Sequence, residues 1–523
     1  MNYLRIKKFL ACIFFITTSL VMAQVSCPHY FSDHMVLQRE TKANVWGWAK
    51  PKEKIVVIGS WGKTVETKAN TTGEWEVKLE TPKAGGPYEL TIKGSNTLVY
   101  KNVMSGDVWF CSGQSNMHFS LNMFYDQNVI KEEATKTNIR FFTVLPNGTK
   151  ELKKNVRKTS WKTPVFKNLK NLSATSFYFG KNLEENLTIP IGLVQSAWSG
   201  RRIEYFTPWS AQNKIDYLIE EKQKKDKITE EWDYKLAAEN NKKVIKEWED
   251  NIKQWEANGK KGHRPWKGKK MMLTPYENAD VPSSIYNGMI HPCTKMTIKG
   301  FIWYQGETNG NLPIMHNAGD AEHYDDMMVR LISSWRKAWG DEKLPFYYVQ
   351  LPDFRAPWQK PVEISQRWPV IRQSMLHIVN QVPHTGMAVT IGLGEEKNIH
   401  PHKKKEVGER LARWALNKTY GKNIAYSGPL AKSCEFKGMT AIITFDHGGD
   451  KLSFVNDHSV GFAIKDKSGK YHKANAEIIS SNQLKITATT EIEAVYYAWA
   501  DNPKGASLQN KASLPASPFM FEK

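Results

Sequence analysis

Four short stretches of this 523-residue chain carry side chains suited to acyl transfer: Ser112-Gly-Gln-Ser-Asn116, Trp198-Ser-Gly-Arg201, Tyr304-Gln-Gly-Glu-Thr-Asn309 and Gly394-Glu-Glu-Lys-Asn-Ile-His400. Together they offer a hydroxyl, backbone amides, a side-chain amide and an imidazole. Those are the parts of a nucleophile, an oxyanion hole and a general base. Ser115 alone reads as a loop serine; the company of Gly200, Asn309 and His400 gives it chemical meaning. Each stretch follows an apolar run, "VWFC", "IPIGLVQSA", "GFIWY" or "GMAVTIGLG". In an open α/β sheet, ligands bind beyond the carboxyl ends of the strands, where four such turns would converge.

The elements that must position these turns follow from the periodicity. Between residues 105 and 420, buried strand-like runs alternate with helical patterns, "SATSFYFGKNLEEN", "HYDDMMVRLISSWRKAW", "PVIRQSMLHIVNQV" and "KKKEVGERLARWALNK". The last places Val407, Leu411 and Trp414 on one face. That alternation predicts an α/β domain, a parallel sheet covered on both faces by helices. Residues 24–104 and 421–523 instead read as short β-rich runs separated by turn signals such as Thr72-Gly73 and Gly85-Gly86-Pro87, flanking β regions of sandwich type. A highly charged segment at about 210–280 interrupts the core. Its Val244, Trp248, Ile252 and Trp255 at helical spacing predict a helical insertion packed on the rim, or a partner-seeking helix.

Composition bounds the partners. The formal charge is +20. The lysines are spread along the chain, with their densest cluster at 259–270. A solvated basic surface, or a preference for acidic glycans, is expected over nucleic-acid binding. The first 23 residues combine Arg5, Lys7 and Lys8 with an apolar stretch and Val21-Met22-Ala23, a secretory signal peptide cut after Ala23. That predicts a secreted or periplasmic protein with no membrane span after cleavage. Cys27, Cys111, Cys293 and Cys434 are scattered without any Cys-x-x-Cys or Cys/His cluster, so no metal site is expected. Acyl transfer at a serine needs no organic cofactor, and none is expected.

"SGQSNM", "IWYQGETN" and "NIHPHKKKEVGERLA" resemble blocks of the sialate O-acetylesterase family, SGNH-type hydrolases related to the family 6 carbohydrate esterases. "FSDHMVLQRETKANVWGWAKP" near the start and "YYAWADNPKGASLQNKASLPASPF" near the end extend the likeness over nearly the whole mature chain. The resemblance implies an SGNH-hydrolase-like three-layer domain. It implies Ser115 as nucleophile and His400 as base, with the Ser115 amide, the Gly200 amide and the Asn309 side chain as oxyanion donors. Gln114, Gln305, Glu307, Arg201 and Trp198 are support or substrate-binding candidates. Gln305 and Glu307 are expected to buttress the Asn309 turn, and Arg201 and Arg202 to meet a sugar carboxylate or cap a strand end. Trp303 is expected in the core and His291 in a structural role.

The sequence departs from the family in its last block. Asn398 and Lys397 stand where aspartates are often found, leaving Glu395, Glu396 or a main-chain carbonyl to orient His400, or a Ser-His dyad. His402 competes with His400 by spacing alone, and His118 stands where the family often has a glutamate. The reading is an exported serine esterase that removes O-acetyl groups from carbohydrate through an acetyl-serine intermediate. Sialic acid esters are the first substrate class and acetylxylan or another hemicellulose ester the second. The alternative from another class is a glycan-binding protein without catalysis. Oligomeric state is not legible.

Overall fold

The computed structural model describes residues 24–260, 265, 274–311, 321–446 and 451–523. The expected signal segment 1–23 lies outside the described residues, as does most of the lysine-rich stretch 259–270. No helix among the described residues is long and apolar enough to cross a membrane.

Strands β1 (Val36–Gln38), β2 (Lys42–Trp48), β3 (Lys54–Gly59), β4 (Lys63–Lys68), β5 (Glu74–Glu80) and β6 (Gly85–Lys93) lead into β7 (Thr97–Gly113). β2 and β5 form an antiparallel pair that packs over β3 and β4. The expected boundary at 104/105 falls inside β7, which serves both regions. Its first half alternates exposed and half-buried residues and pairs antiparallel with β6. Its second half, from Gly106, is buried on both faces and pairs with parallel strands, as parallel sheets require. Gly106 sits at the changeover. A Cβ there would come within 2.1 Å of the Pro190 carbonyl oxygen, so the residue that reads as a breaker admits a close neighbour. Asp107, buried beside it, accepts from Gln38 Nε2 at 2.7 Å and from Arg39 Nε at 3.1 Å.

The catalytic-core sheet is completed by β8 (Arg140–Thr143), β9 (Ile191–Ala197), β10 (Gly300–Tyr304), β11 (Phe346–Val349) and β12 (Thr385–Ala388). All pair in parallel, in the spatial order β8-β9-β7-β10-β11-β12. The helices that cover or extend it are α1 (Ser115–His118), α2 (Ala174–Leu187), α3 (Ile203–Phe206), α4 (Asp216–Glu230), α5 (Tyr234–Ala257), α6 (Glu307–Asn311), α7 (Tyr324–Trp339), α8 (Trp368–Gln381) and α9 (Lys404–Trp414). Successive residues of a strand point to opposite faces, and Trp109 and Phe110 display both layers. Trp109 packs edge-on to Phe179 of α2 at 5.1 Å, while Phe110 meets Trp335 of α7 at 5.8 Å. Trp303, Trp335, Trp368 and Trp414 are likewise buried, so much of the tryptophan content is core. α2 and α9 lie against each other where Gly408 leaves room: a Cβ would stand 2.7 Å from the Phe179 nitrogen.

The insertion is helical, as expected, but only partly packed. In α4, Leu218 is buried, and Glu221 ion-pairs with the buried Arg202. In α5 only Ala237 is buried, and Val244, Trp248, Ile252 and Trp255 form a half-buried stripe. Trp248 Nε1 donates to the Pro265 carbonyl at 3.2 Å.

The C-terminal region builds two four-stranded antiparallel sheets. One runs Leu430–Lys437, Thr440–Asp446, Gln483–Thr487, Ala476–Ser480 and the other Tyr471–Ala474, Phe462–Asp466, Ile492–Tyr497, Phe519–Glu522. Arg372 of α8 ties this region to the core. Fully buried, it donates to the carbonyls of Leu351, Pro352, Ala500 and Asp501 at 2.6–2.9 Å. Arg372→Met strands four carbonyls and removes a cation facing Asp353 and Asp501. We expect it to lower unfolding free energy by about 3 kcal/mol in urea denaturation. A midpoint equal to wild type would show that this docking is dispensable.

Candidate active site

Strand register brings the site together. Gly113, the last residue of β7, lies opposite Ala197 of β9 and Tyr304 of β10, so three chains leave the sheet at one edge. Gly113 has φ 137°, and a Cβ there would approach the Tyr304 carbonyl oxygen to 2.1 Å. Only glycine meets both demands. The backbone then turns at Gln114, whose N–H donates to that carbonyl at 2.9 Å, and α1 begins at Ser115. A buried strand therefore presents one serine at its tip.

His400 arrives from the opposite side on the loop between β12 and α9. Its Nε2 lies 2.9 Å from Ser115 Oγ. The loop is fixed locally: Asn398 Oδ1 accepts the His400 N–H at 3.0 Å, and Gly392 N–H donates to Asp353 Oδ2 at 2.6 Å. The Phe119 ring lies 4.6 Å from the imidazole, centroid to centroid. Burial, then the charge of Lys404, holds the His400 pKa below the ordinary histidine value. The imidazole is therefore neutral, able to accept a proton, down to a lower pH than a free one.

Neither expected carboxylate reaches that ring. Glu395 turns toward His402, accepting its N–H at 2.7 Å and contacting Nδ1 at 2.8 Å, and accepts from Asn398 Nδ2 at 3.1 Å. Burial would raise the Glu395 pKa, but those donors outweigh it and hold the carboxylate below its usual range. Glu396 is exposed and offers its carbonyl to the Arg355 N–H. Among the described residues nothing accepts from His400 Nδ1. The arrangement is a serine-histidine pair. His402, 62 % exposed, is not at Ser115.

The oxyanion candidates are rearranged as well. The Ser115 amide at the start of α1 and the Gly200 amide, at φ 66°, have no acceptor among the described residues. Asn309 is not aimed at them. Its Nδ2 donates to both carboxylate oxygens of Glu204 at 3.3 and 3.2 Å, while its Oδ1 accepts from Ile203 N and from Gln305 Nε2. The two Glu204 contacts share one N–H, and the buried residue, gripped also at its oxygen, fixes α3 and α6 with only its second N–H uncommitted among the described residues. Gln305 buttresses Asn309 at 2.6 Å as expected, and also donates to the Arg201 carbonyl. Glu307 does not: it accepts from Asn116. Gln114 is the less committed amide: its Oε1 is held by the Thr308 N–H at 3.2 Å and its Nε2 has no partner among the described residues.

On the rim, Arg201 stacks over Trp198 at 5.4 Å and donates to Asn278, with no carboxylate in ion-pairing distance among the described residues. His118 Nδ1 contacts Ser199 Oγ at 2.9 Å, and burial lowers its pKa. Arg202 is internal, with Tyr205 and Glu221, and His291 holds the Lys153 carbonyl. Cys27, Cys111, Cys293 and Cys434 are free thiols. Sequence reasoning missed Glu204, which sits in the apolar "IEYF" without a motif, and the buried Asn116 and Lys404. Lys404 carried a signal: it lies three residues before Val407 and seven before Leu411, on the apolar stripe of α9.

A parallel sheet that presents Ser115 to His400 at one edge suits an ester hydrolase. A family model described as "Carbohydrate esterase, sialic acid-specific acetylesterase" matches residues 250–417. Sialate O-acetylesterase of Mus musculus is 28% identical, over 94% of this chain and 93% of its own length. The Homo sapiens protein of that name is 27% identical over 94% and 91%. The crystal structure of a carbohydrate acetylesterase from Xanthomonas citri is similar with a TM-score of 0.77 at 30% identity, covering 95% of this chain and 100% of that one. The chain belongs to the sialate O-acetylesterase family and is a carboxylic ester hydrolase acting on carbohydrate esters.

The geometry makes a direct prediction about protonation. The His400 imidazole should titrate below ~6.5, the value of an unperturbed histidine, when followed by NMR in the Ser115→Ala protein. A pKa above that value would contradict a neutral resting base.

Proposed function

We propose that this protein is an exported serine esterase that removes O-acetyl groups from sugars through an acetyl-Ser115 intermediate. The observation that carries the reading is the 2.9 Å contact between Ser115 Oγ and His400 Nε2 beside unpartnered N–H groups. His400 takes the Ser115 proton as Oγ attacks the acetyl carbonyl, and returns it to the departing sugar oxygen. Water, deprotonated by the same imidazole, then releases acetate. The developing oxyanion meets the amides of Ser115 and Gly200 and the Gln114 Nε2, in place of the Asn309 amide first expected. Phe119 against the imidazole supplies the ring orientation that a triad carboxylate gives elsewhere. Export rests on the basic and apolar character of residues 1–23.

Sialic acid esters are the substrate class favoured. The relatives named above support it, and so does Arg201. Its guanidinium, stacked on Trp198 next to Gly200 with no carboxylate in ion-pairing distance among the described residues, suits the carboxylate of an acidic sugar. Acetylated xylan is the second reading, supported by the shared chemistry alone.

Ser115→Ala and His400→Ala are expected to abolish hydrolysis of p-nitrophenyl acetate, whereas His402→Ala keeps most of it. Retained turnover in Ser115→Ala would reject the nucleophile. Gln114→Leu should lower kcat by about 100-fold, the usual effect of deleting an oxyanion donor. Glu395→Gln and Glu396→Gln should each keep at least about a tenth of the activity, where loss of a triad acid costs about 10⁴-fold. For substrate class, kcat/KM on O-acetylated sialic acid should exceed that on acetylxylan at equal ester concentration, and Arg201→Ala should erase the difference. Equal rates in the wild type would favour the neutral polysaccharide.

A further inference from the structure

Behind the serine and the histidine lies a buried polar cluster that the acyl-transfer scheme does not use. Lys404, the first residue of α9, is wholly buried. Its Nζ lies 4.8 Å from the Phe124 ring centroid and 5.6 Å from that of Tyr304, and donates to Asn116 Oδ1. The Asn116 Nδ2 donates to Glu307 Oε1 and to the Ile399 carbonyl at 3.1 Å, and the Asn116 carbonyl accepts from Thr175 Oγ1 at 2.9 Å. The other Glu307 oxygen is buried without a partner. One amide therefore stands between a buried cation and a buried carboxylate, its oxygen toward the first and its nitrogen toward the second. Asn116 directly follows Ser115, and Ile399 directly precedes His400.

Resting on the serine-esterase reading, we propose that Lys404, Asn116 and Glu307 act as one positioning unit, clamping the Ser115 turn to the His400 loop and setting the electrostatic field at the imidazole from behind. Neither charge touches substrate. Isolated, each would be costly in this interior; bridged by Asn116, they offset part of that cost and leave the amide a single orientation. The groups that face His400 are few. From α1 come Ser115 and, with its ring turned to Ser199, His118. Glu395 on its own loop is an anion turned toward the donors His402 and Asn398. From α9 comes Lys404, and from α6 Glu307 behind the Asn116 amide. Lys404 is the charge that acts on the ring: it adds to burial in lowering the His400 pKa. Burial pushes Lys404 itself down to about 7, against the pull of Glu307 and Glu395. Below that pH it is charged, and that is the range in which His400 titrates.

The test is the pH dependence of kcat/KM for p-nitrophenyl acetate with the full-length protein. Lys404→Met removes the cation, so the acidic limb should move to higher pH by about half a unit, with kcat reduced about tenfold. Glu307→Gln removes an anion and should reduce kcat while leaving the limb at or below its wild-type position. If Lys404→Met folds poorly, Lys404→Met/Glu307→Gln, which leaves no lone buried charge, is read in its place and must show the same upward movement. An unmoved limb in the lysine variant, or an upward one in Glu307→Gln alone, overturns the proposal. Ser115→Ala in the same assay separates the two claims. Residual activity there defeats the esterase reading itself, whereas an inert Ser115→Ala with unmoved limbs defeats only the positioning unit.

Discussion

Everything at this site depends on how closely β7 and β10 approach at their carboxyl ends. Gly113 has no room for a Cβ because the Tyr304 carbonyl occupies that space, and the same carbonyl receives the Gln114 N–H. Two consecutive backbone groups are thus fixed by one oxygen, and the next residue is the serine. The register that sets this approach is inherited from the sheet: β9 and β10 each align their last residue with Gly113. A strand slipped by one residue would turn Trp109 and Phe110 to the wrong layers. Core packing against Phe179 on one face and Trp335 on the other therefore secures the position of the nucleophile.

The electrostatics follow from burial. Without a carboxylate at Nδ1, nothing stabilises an imidazolium at rest, and desolvation together with Lys404 disfavours it further. That keeps the base ready at neutral pH, but it also makes the proton harder to hold once taken. The compensation has to come from the substrate side, through donors waiting for the oxyanion and through an open Ser115 amide. Glu395, which the sequence offers as the third member, works instead as a staple, joining His402 and Asn398 so that the loop presents His400 at the correct depth.

Much of this was legible in the chain before any coordinates. Apolar runs that stop at glycine-containing polar turns mark strand ends, and they located Ser115, Gly200 and His400. The alternation of strand and helical periods yielded the parallel sheet. The boundary expected at 104/105 falls within β7, because the chain passes from antiparallel to parallel pairing there without leaving the extended conformation. The direction of the Asn309 amide was not legible, since it is decided by Glu204, a buried carboxylate 105 positions away in a segment with no pattern of its own. Lys404 sat in a run of three lysines that reads as solvated surface, although the phase of its helix places it inward.

Asn309 and Asn116 are both buried amides that grip a carboxylate, Glu204 in one case and Glu307 in the other. Where a carboxylate takes one amide hydrogen and a carbonyl takes the other, as at Asn116, no hydrogen remains for substrate. Such a residue can organise an active site and still contribute no hydrogen to the reacting atoms. The donor that remains is Gln114, whose oxygen is anchored at Thr308 and whose nitrogen is not, and this half-committed state separates a group available to substrate from one that only supports it.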